Sequence, residues 1–367
     1  MESVPSYKMP DLERVLAFDF VRATEAAALN VIRWVGKGEK EKADAAACDA
    51  IRGMFDLMDI CAEVVIGEGL KDEAPGIFKG EKLGRWIPGS PRFDIAVDPI
   101  DGTTNVSKGL PGSLAVIAAA VPEQDSEHAL KDLPSYYAMK LAYGPQVKNY
   151  VETSGIESFR LDTPVEELLP IVARALRKRL SDLVVCVMDR PRHAQLIAEI
   201  RKLGCSLRLI EHGDITAAMA PSLPDGDIDL YIGIGGAPEA VLAAAGIRCL
   251  GGEIQVRMWP KDEKEKQKLI EQGYGDELDT IFYAKDLAKG SSIIFSATAI
   301  SDAPGLPGVR IRGNHAVTHS VLMRSRTQTV RYIRTHHNLQ LKTIRLRSSQ
   351  AEHTLANDVG TEEEAYQ

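Results

Sequence analysis

A strand–helix–strand pattern in the second half of the chain constrains the fold more than any other feature of the sequence. The apolar run Leu183–Met188 predicts a buried strand, Arg192–Leu203 predicts a helix, and Ser206–Ile210 predicts a second strand. Two strands joined in this way by a helix form a βαβ unit and lie parallel in one sheet. The pattern therefore predicts an α/β fold, with the loop Asp189–Arg192 at the carboxyl end of the first strand.

The same alternation of helices and strands extends along most of the chain. A turn-rich stretch near residues 153–157 predicts a division into a subdomain of residues 1–155, a second α/β subdomain of residues 156–340, and a polar, flexible tail of residues 341–367. Alternating residues predict one strand with a solvated face over 321–334. The other predicted helices are Asp11–Val35, Asp44–Met58 and one beginning at Glu239, and the other strands are Ala62–Ile66, Phe93–Val97, Gly112–Val121, Tyr137–Leu141, Ile228–Ile232 and Ile293–Ala297.

Composition limits the partners of the chain. Of its 367 residues 44% are hydrophobic and 26% are charged, as in a well-cored globular protein. The net charge of −8 disfavours duplex nucleic acid as a partner and suits a protein that gathers divalent cations. No apolar run approaches the ~18 residues of a membrane helix, and the first residues do not resemble a secretory signal. Five scattered cysteines without a C-x-x-C pair predict reduced core thiols in the cytoplasm.

Five acidic residues stand where predicted strands end or helices begin. They are Asp44, Glu68, Asp98, Asp101 and Glu239, and most have Gly or Pro beside them. Taken singly, Asp44 is equally well explained as a helix cap. Loops at the carboxyl edge of an α/β sheet gather into one site, where several carboxylates repel one another unless a cation neutralises them. Oxygen ligands favour Mg²⁺ or Mn²⁺, and no His/Cys cluster has zinc spacing.

The string Asp-Pro-Ile-Asp-Gly-Thr-Thr-Asn at residues 98–105 carries the most chemistry. Pro99 favours a sharp turn that can aim Asp98 and Asp101 at the same cation or pair of cations. Gly102 allows close approach of a phosphate, and the Thr103 hydroxyl can orient a water. Phosphatases that form an aspartyl-phosphate place their two Asp residues two apart, whereas here they are three apart. The spacing therefore favours a metal-activated water over a covalent intermediate.

This string resembles the signature of the lithium-sensitive, magnesium-dependent phosphatases, which include inositol monophosphatases and fructose bisphosphatases. Further segments narrow the resemblance to class II fructose-1,6-bisphosphatases, from about Glu13 to about His337. These segments are residues 36–40, 43–44, 65–69, 72–75, 188–193 and 233–239. The resemblance implies a layered α-β-α-β-α sandwich of two subdomains with the site between them. It also implies a homodimer or homotetramer that acts in central carbon metabolism, in gluconeogenesis or the Calvin cycle.

The resemblance also implies roles for individual residues. Asp44 and Glu68 would hold one Mg²⁺ or Mn²⁺ ion, and Asp98, Asp101 and Glu239 would hold another, so that each site contains two or more ions. Thr103 would help Asp98 and Glu68 in catalysis. The residues expected to contact a sugar bisphosphate are Asp101, Gly102, Thr103, Tyr137, Arg190, Pro191, Arg192, His212, Asp214 and Gly236. Planar arginine forks and the glycines before a helix both suit phosphate groups.

The chain departs from the family pattern at three places. Leu70 stands where the family usually has Glu, Asp101 replaces a Glu, and His212 replaces the first Asp of an Asp-Gly-Asp string. The expected reaction is hydrolysis of the 1-phosphate of fructose 1,6-bisphosphate, extended to sedoheptulose 1,7-bisphosphate. Two alternatives stay open from the residues: a phosphatase of another small phosphoester such as inositol monophosphate, and a sugar-phosphate sensor without catalysis. His212 alone is also compatible with a purely structural loop role.

Overall fold

The computed structural model describes residues 12–67, 76–123, 126–348 and 352–354. The helices are α1 (Leu12–Val31), α2 (Lys40–Phe55), α3 (Thr103–Lys108), α4 (Pro145–Ser154), α5 (Val165–Leu176), α6 (Ala194–Lys202), α7 (Asp214–Met219), α8 (Ala237–Leu250), α9 (Glu263–Leu269) and α10 (Ala284–Leu287). Within these ranges, no helix combines the length and the apolar character needed to cross a bilayer.

The strands form two mixed sheets and a separate hairpin. They are β1 (Cys61–Ile66), β2 (Lys82–Leu83), β3 (Arg92–Asp101), β4 (Leu114–Ala120), β5 (Tyr137–Tyr143), β6 (Val184–Met188), β7 (Ser206–Ile210), β8 (Leu230–Gly236), β9 (Glu253–Trp259), β10 (Phe282–Tyr283), β11 (Ile293–Ala299), β12 (Arg310–Arg312), β13 (His315–Arg324), β14 (Thr329–Asn338), β15 (Thr343–Arg345) and β16 (Glu352–Thr354). The first sheet runs β12-β13-β11-β4-β3-β1-β2 with β14 paired to β13, and the second runs β10-β9-β5-β8-β6-β7. The hairpin pairs β15 with β16.

Three apolar clusters stack these elements into five layers. The first cluster joins α1 and α2 to one face of the first sheet, through residues such as Phe20, Ile51 and Ile95. The second lies between the two sheets around α7 and α8. The third covers the outer face of the second sheet with α4, α5 and α6. Because each sheet buries both of its faces against helices, the layers alternate α-β-α-β-α, and the predicted α/β fold class is confirmed.

The predicted βαβ unit is also confirmed. β6 and β7 are parallel, with Val184 opposite Ser206 and Met188 opposite Ile210. The crossover contains α6, which buries Ile197 and Ile200 against the sheet. The loop after Met188 therefore lies at the carboxyl end of β6, beside the end of β8, where open α/β sheets place ligand sites.

Several predicted boundaries differ from the structure, and three of the differences bear on the site or on the topology. α2 begins at Lys40, so Asp44 lies inside the helix and does not cap it. β3 continues through the predicted stop at Asp98 and ends at Asp101. The single strand predicted over 321–334 is a hairpin, in which β13 and β14 pair from Arg324 with Thr329. Periodicity alone marks strand character in such a segment and does not locate a short turn inside it.

The predicted flexible tail begins with an ordered segment. β15 docks on α2, where Ile344 is 1% exposed and the Arg347 guanidinium makes a bidentate ion pair with Asp56. Residues 349–351 and 355–367 of the predicted tail lie outside the described residues. The predicted subdomain boundary near residues 153–157 stays a prediction, since the first sheet combines strands from both sides of it.

Candidate active site

A cavity of about 650 Å³ lies where β3, β6 and β8 end. Both sheets contribute to its walls, because β3 belongs to the first sheet and β6 and β8 to the second. The predicted site residues that line it are Asp98, Asp101, Gly102, Thr103, Tyr137, Arg190, Arg192, His212, Asp214, Gly236 and Glu239. Segments that are far apart in the sequence thus meet around one space.

A bulge in β3 brings Asp98 and Asp101 to the same side. Asp98 is opposite Val116 of β4 and Asp101 is opposite Leu114, so β3 advances three residues while β4 advances two. Residues three apart on a regular strand point to opposite faces, and one extra residue reverses that relation. The feature at Pro99 is therefore a bulge within the strand, whereas the sequence predicted a turn that ends it.

Short polar contacts hold the end of β3 and the residues that follow it. Asp98 Oδ1 accepts a hydrogen bond of 3.0 Å from the Ile100 amide. Gly102 has a φ of +89°, and a Cβ at this position would lie 2.9 Å from the Gly112 carbonyl oxygen, so glycine is required there. Thr103 follows as the first residue of α3, with its hydroxyl donating to the Ile100 carbonyl at 3.2 Å. The backbone thus presents the Thr103 side chain at the cavity wall.

The opposite wall carries arginine side chains from the loop after β6. Arg192 Nη2 donates to the Ile234 carbonyl oxygen at 2.8 Å, and the guanidinium lies 4.8 Å from the centre of the Tyr137 ring. The Arg190 guanidinium donates to the Glu211 carbonyl. Both arginines keep N–H donors for a phosphate, because the planar guanidinium can donate two parallel hydrogen bonds to phosphate oxygens.

His212 borders this positive wall. Burial lowers its pKa, and the charges of Arg190, Lys40 and Lys108 lower it further, while the carboxylate of Glu211 raises it. The imidazole is therefore neutral at pH 7 and offers one donor and one acceptor. A carboxylate at this position would only accept hydrogen bonds, so His212 presents a different polar surface to a ligand.

Lys140 is a polar residue of the site that the sequence interpretation missed. It lies in the middle of β5 with an exposure of 0%, and its ammonium donates to Asp214 Oδ2 at 2.5 Å. Asp214 begins α7 and lines the cavity. A lysine inside the apolar run of residues 137–143 is a signal that could have revealed the pair, because a fully buried lysine needs an anionic partner.

Comparison with known proteins identifies the family. A family described as bacterial fructose-1,6-bisphosphatase, glpX-encoded, matches residues 14–337. The chain belongs to this family. It is 38% identical over 339 residues to the class 2 fructose-1,6-bisphosphatase of Haemophilus influenzae. The aligned region covers 89% of this chain and 97% of the relative. It is also 37% identical over 348 residues to a Synechococcus protein named D-fructose 1,6-bisphosphatase class 2/sedoheptulose 1,7-bisphosphatase, covering 89% of this chain and 96% of the relative.

The acids of this fructose-1,6-bisphosphatase family member include two unsatisfied carboxylate oxygens. Asp44 Oδ1 and Glu239 Oε2 are buried and accept no hydrogen bond from the described residues. Burial raises the pKa of Asp44 against the opposing charge of Arg52. Burial also raises the pKa of Glu239, and the negative charge of Asp214 raises it further, while the positive charge of Lys140 lowers it. Buried oxygens without donors are what a divalent cation would satisfy, so these residues fit the implied metals.

Not every predicted ligand of the fructose-1,6-bisphosphatase site is placed in the cavity. Glu68 lies outside the described residues, and Asp44 and Pro191 do not line the space. Among the described residues, no three His, Cys, Asp or Glu side chains stand in a metal-binding group. Asp44 lies one turn after Lys40, whose ammonium donates to Thr104 Oγ1 at 2.9 Å, so α2 approaches the cavity from the side of α3.

Proposed function

We propose that the chain hydrolyses the 1-phosphate of fructose 1,6-bisphosphate to give fructose 6-phosphate and phosphate. The observation that carries this proposal is a single cavity with carboxylates on one wall and arginines on the other. Asp98 and Asp101 of β3 supply the first wall, Arg190 and Arg192 after β6 supply the second, and Glu239 at the start of α8 also lines the cavity. A sugar with a phosphate at each end matches both walls, since one phosphate would meet the metal ligands and the other the guanidinium groups.

The two walls have different tasks in this proposal. Asp98, Asp101 and Glu239 would hold one Mg²⁺ or Mn²⁺ ion, and Asp44 with Glu68 would hold another. Bound ions of this type lower the pKa of a coordinated water and neutralise charge on phosphate oxygens. The arginines would bind the phosphate that stays on the sugar. This binding would orient the sugar so that its other phosphate lies beside the metal ligands.

Other residues of the chain act on the sugar and on water. The Thr103 hydroxyl, at the cavity wall, would orient the attacking water in line with the leaving oxygen. Asp214 and the neutral His212 would bind sugar hydroxyls, one as an acceptor and the other as donor and acceptor. Gly102 and Gly236 leave room for phosphate oxygens beside the backbone.

Sedoheptulose 1,7-bisphosphate is proposed as a further substrate. It also has a phosphate at each end, with one more carbon between them. The name of the Synechococcus relative combines the two bisphosphatase activities, and that relative is 37% identical to this chain.

A phosphate-release assay over a substrate panel tests the proposal. The panel contains fructose 1,6-bisphosphate, sedoheptulose 1,7-bisphosphate, fructose 6-phosphate and inositol monophosphate, each with Mg²⁺ and with Mn²⁺. We expect release from the two bisphosphates at least about tenfold faster, in kcat/KM, than from either monophosphate. That ratio corresponds to about 1.4 kcal/mol of transition-state binding by the arginine wall.

Matched variants separate the proposal from its alternatives. Asp98→Asn is expected to abolish turnover in a folded protein, whereas Asp182→Asn, at an exposed carboxylate paired with Arg179, leaves turnover unchanged. Preferential hydrolysis of inositol monophosphate would replace the proposal with a monophosphatase. Tight sugar-bisphosphate binding without phosphate release under any divalent ion would support a sensor in its place.

A further inference from the structure

A side chain links β6 to β8 beside the candidate site. The parallel ladder between these strands pairs Val185 with Leu230 and Cys186 with Tyr231. Nearer the cavity, His193 connects the two strands instead. It follows Arg192 in the loop after β6, is 2% exposed, and had no role assigned to it by the sequence motifs.

The imidazole of His193 makes two hydrogen bonds to backbone groups. Nδ1 lies 2.7 Å from the Met188 carbonyl oxygen at the end of β6. Nε2 lies 2.8 Å from the amide nitrogen of Ile234 in β8. An amide N–H can only donate, so Nε2 accepts and Nδ1 carries the proton that is donated to Met188. The neutral ring with its proton on Nδ1 is the one form that makes both bonds.

The backbone of β8 is shaped around this ring. Gly233 has a φ of +155°, a conformation that L side chains rarely adopt, and a Cβ there would lie 3.3 Å from His193 Nε2. Glycine at this position therefore lets β8 approach the imidazole closely.

The same peptide region of β8 holds Arg192. The Ile234 residue donates through its amide to His193 and accepts through its carbonyl from Arg192, at 2.8 Å to Nη2 and 3.3 Å to Nε. The Tyr137 ring also packs against the guanidinium, with 4.8 Å between the Arg192 Cζ atom and the ring centre. Arg192 is exposed, and these contacts select one of its many rotamers.

We propose that His193 is a positioning residue, which orients Ile234 and through it fixes the Arg192 guanidinium for the phosphate that stays on the sugar. This inference rests on the proposed function. Burial lowers the pKa of His193, the Met188 carbonyl opposes that effect, and the charges of Arg192 and Arg190 lower the pKa further. The neutral acceptor form is therefore the one present at pH 7.

The test compares two substitutions of different hydrogen-bonding capacity. His193→Leu fills the space without either bond, and we expect the KM for fructose 1,6-bisphosphate to rise about tenfold with kcat within about threefold of the parent, as expected for loss of uniform substrate binding. His193→Gln can donate to Met188 and accept from Ile234, and should keep the KM near the parent value. His336→Leu, at an exposed histidine of β14, serves as the control and should change neither constant.

A double-mutant cycle with Arg192→Met sharpens the result. If His193 acts through Arg192, His193→Leu raises the KM no further in the Arg192→Met background. Equal KM values for His193→Leu and His193→Gln, or additive effects in the cycle, would overturn the proposal. If His193→Leu does not fold, His193→Asn replaces it, because its shorter amide reaches only one of the two backbone groups.

Calorimetric binding of fructose 6-phosphate separates failure of this inference from failure of the proposed function. This ligand carries only the phosphate assigned to the arginine wall, and its binding requires no hydrolysis. A parent protein that binds fructose 6-phosphate without releasing phosphate from any substrate would overturn the proposed function alone. A tenfold loss of that binding in His193→Leu, restored in His193→Gln, would still support the positioning role.

Discussion

Lys140 and Asp214 form a buried ion pair beneath the candidate site, with 2.5 Å between Nζ and Oδ2. Their exposures are 0% and 4%, and they lie on β5 and at the start of α7. Breaking a buried pair leaves an uncompensated charge in a low-dielectric interior, which costs far more than loss of a surface pair. The pair joins the second sheet to the helix layer that carries Asp214 into the cavity.

Lys140→Met is therefore expected to lower the free energy of unfolding by about 3–5 kcal/mol, because Asp214 stays buried without its partner. Denaturant unfolding measures the change. Lys178→Met removes a partly exposed pair with Asp229 and should cost less than about 1 kcal/mol. Addition of Asp214→Asn to Lys140→Met should recover part of the loss, and a Lys140→Met variant as stable as Lys178→Met would contradict the assignment.

Gly235 is expected to tolerate no side chain. A Cβ there would overlap Asp214 Oδ2 and lie 3.2 Å from Lys140 Nζ. Gly235→Ala must displace the Asp214 carboxylate, and we expect at least a tenfold rise in the KM for the sugar bisphosphate, equal to about 1.4 kcal/mol. Gly275→Ala is the control, since its nearest neighbour would be 3.7 Å away. Equal KM values for Gly235→Ala and Gly275→Ala in steady-state kinetics would show that the close approach of Gly235 to Asp214 is not needed for substrate binding.

The segment of residues 343–348 packs on α2 and lies outside the family-matched region, which ends at residue 337. Arg347 donates to both Asp56 oxygens, at 3.0 and 2.6 Å, and to Glu81 at 3.2 Å. Gly53 of α2 packs so closely that a Cβ would overlap the Arg345 carbonyl oxygen. The contacts therefore tie the end of the chain to the helix that carries Asp44.

Arg347→Ala is expected to lower the free energy of unfolding by about 1–2 kcal/mol, because the pair is charge-assisted but about one-third exposed. Gly53→Ala should also destabilise the protein, since it forces the segment off α2. Arg326→Ala, in the turn between β13 and β14, is the control and should change stability by less than about 0.5 kcal/mol. Thermal unfolding measures both changes. Equal stabilities of Arg347→Ala and Arg326→Ala would show that the Arg347 contacts add no stability.

The neutral state of His193 predicts a pH-dependent part of the stability. Its folded pKa lies below the ordinary value of 6.5, chiefly because of burial. Between these two values the unfolded chain binds more protons than the folded chain, so the free energy of unfolding rises with pH there. The contribution is complete above about pH 6.5 and is lost as the pH falls towards the folded pKa.

Unfolding of the parent and of His193→Gln from about pH 5 to pH 8 isolates this contribution. We expect the parent to lose stability relative to His193→Gln as the pH falls below about 6.5. The exposed His336→Gln variant should follow the parent across the range. A constant difference between the parent and His193→Gln would show that the histidine does not titrate on unfolding.

Much of the architecture and several site motifs could be predicted because they are encoded locally. The βαβ unit follows from apolar runs and helical spacing within residues 183–210, and the strand ends follow from Gly, Pro and acidic residues beside such runs. Loops at the carboxyl ends of strands predict that the acids gather into one site, whereas only the family resemblance places the arginines after β6 beside them, because β3 and β6 belong to different sheets. The boundary errors at α2 and β13–β14 occur where periodicity continues across a cap or a short turn.

The sequence by itself determined the fold class, the family and the chemical types that meet in the cavity. Only the tertiary structure decided that a bulge turns Asp98 and Asp101 to one side, that Lys140 is buried against Asp214, and that His193 bridges two strands. The reason is that these features depend on partners distant in the chain, such as Lys140 and Asp214, which are 74 positions apart. A local sequence pattern specifies a helix or strand and the polar residues on it. Which distant residue a side chain then contacts depends on how the sheets and helix layers pack together.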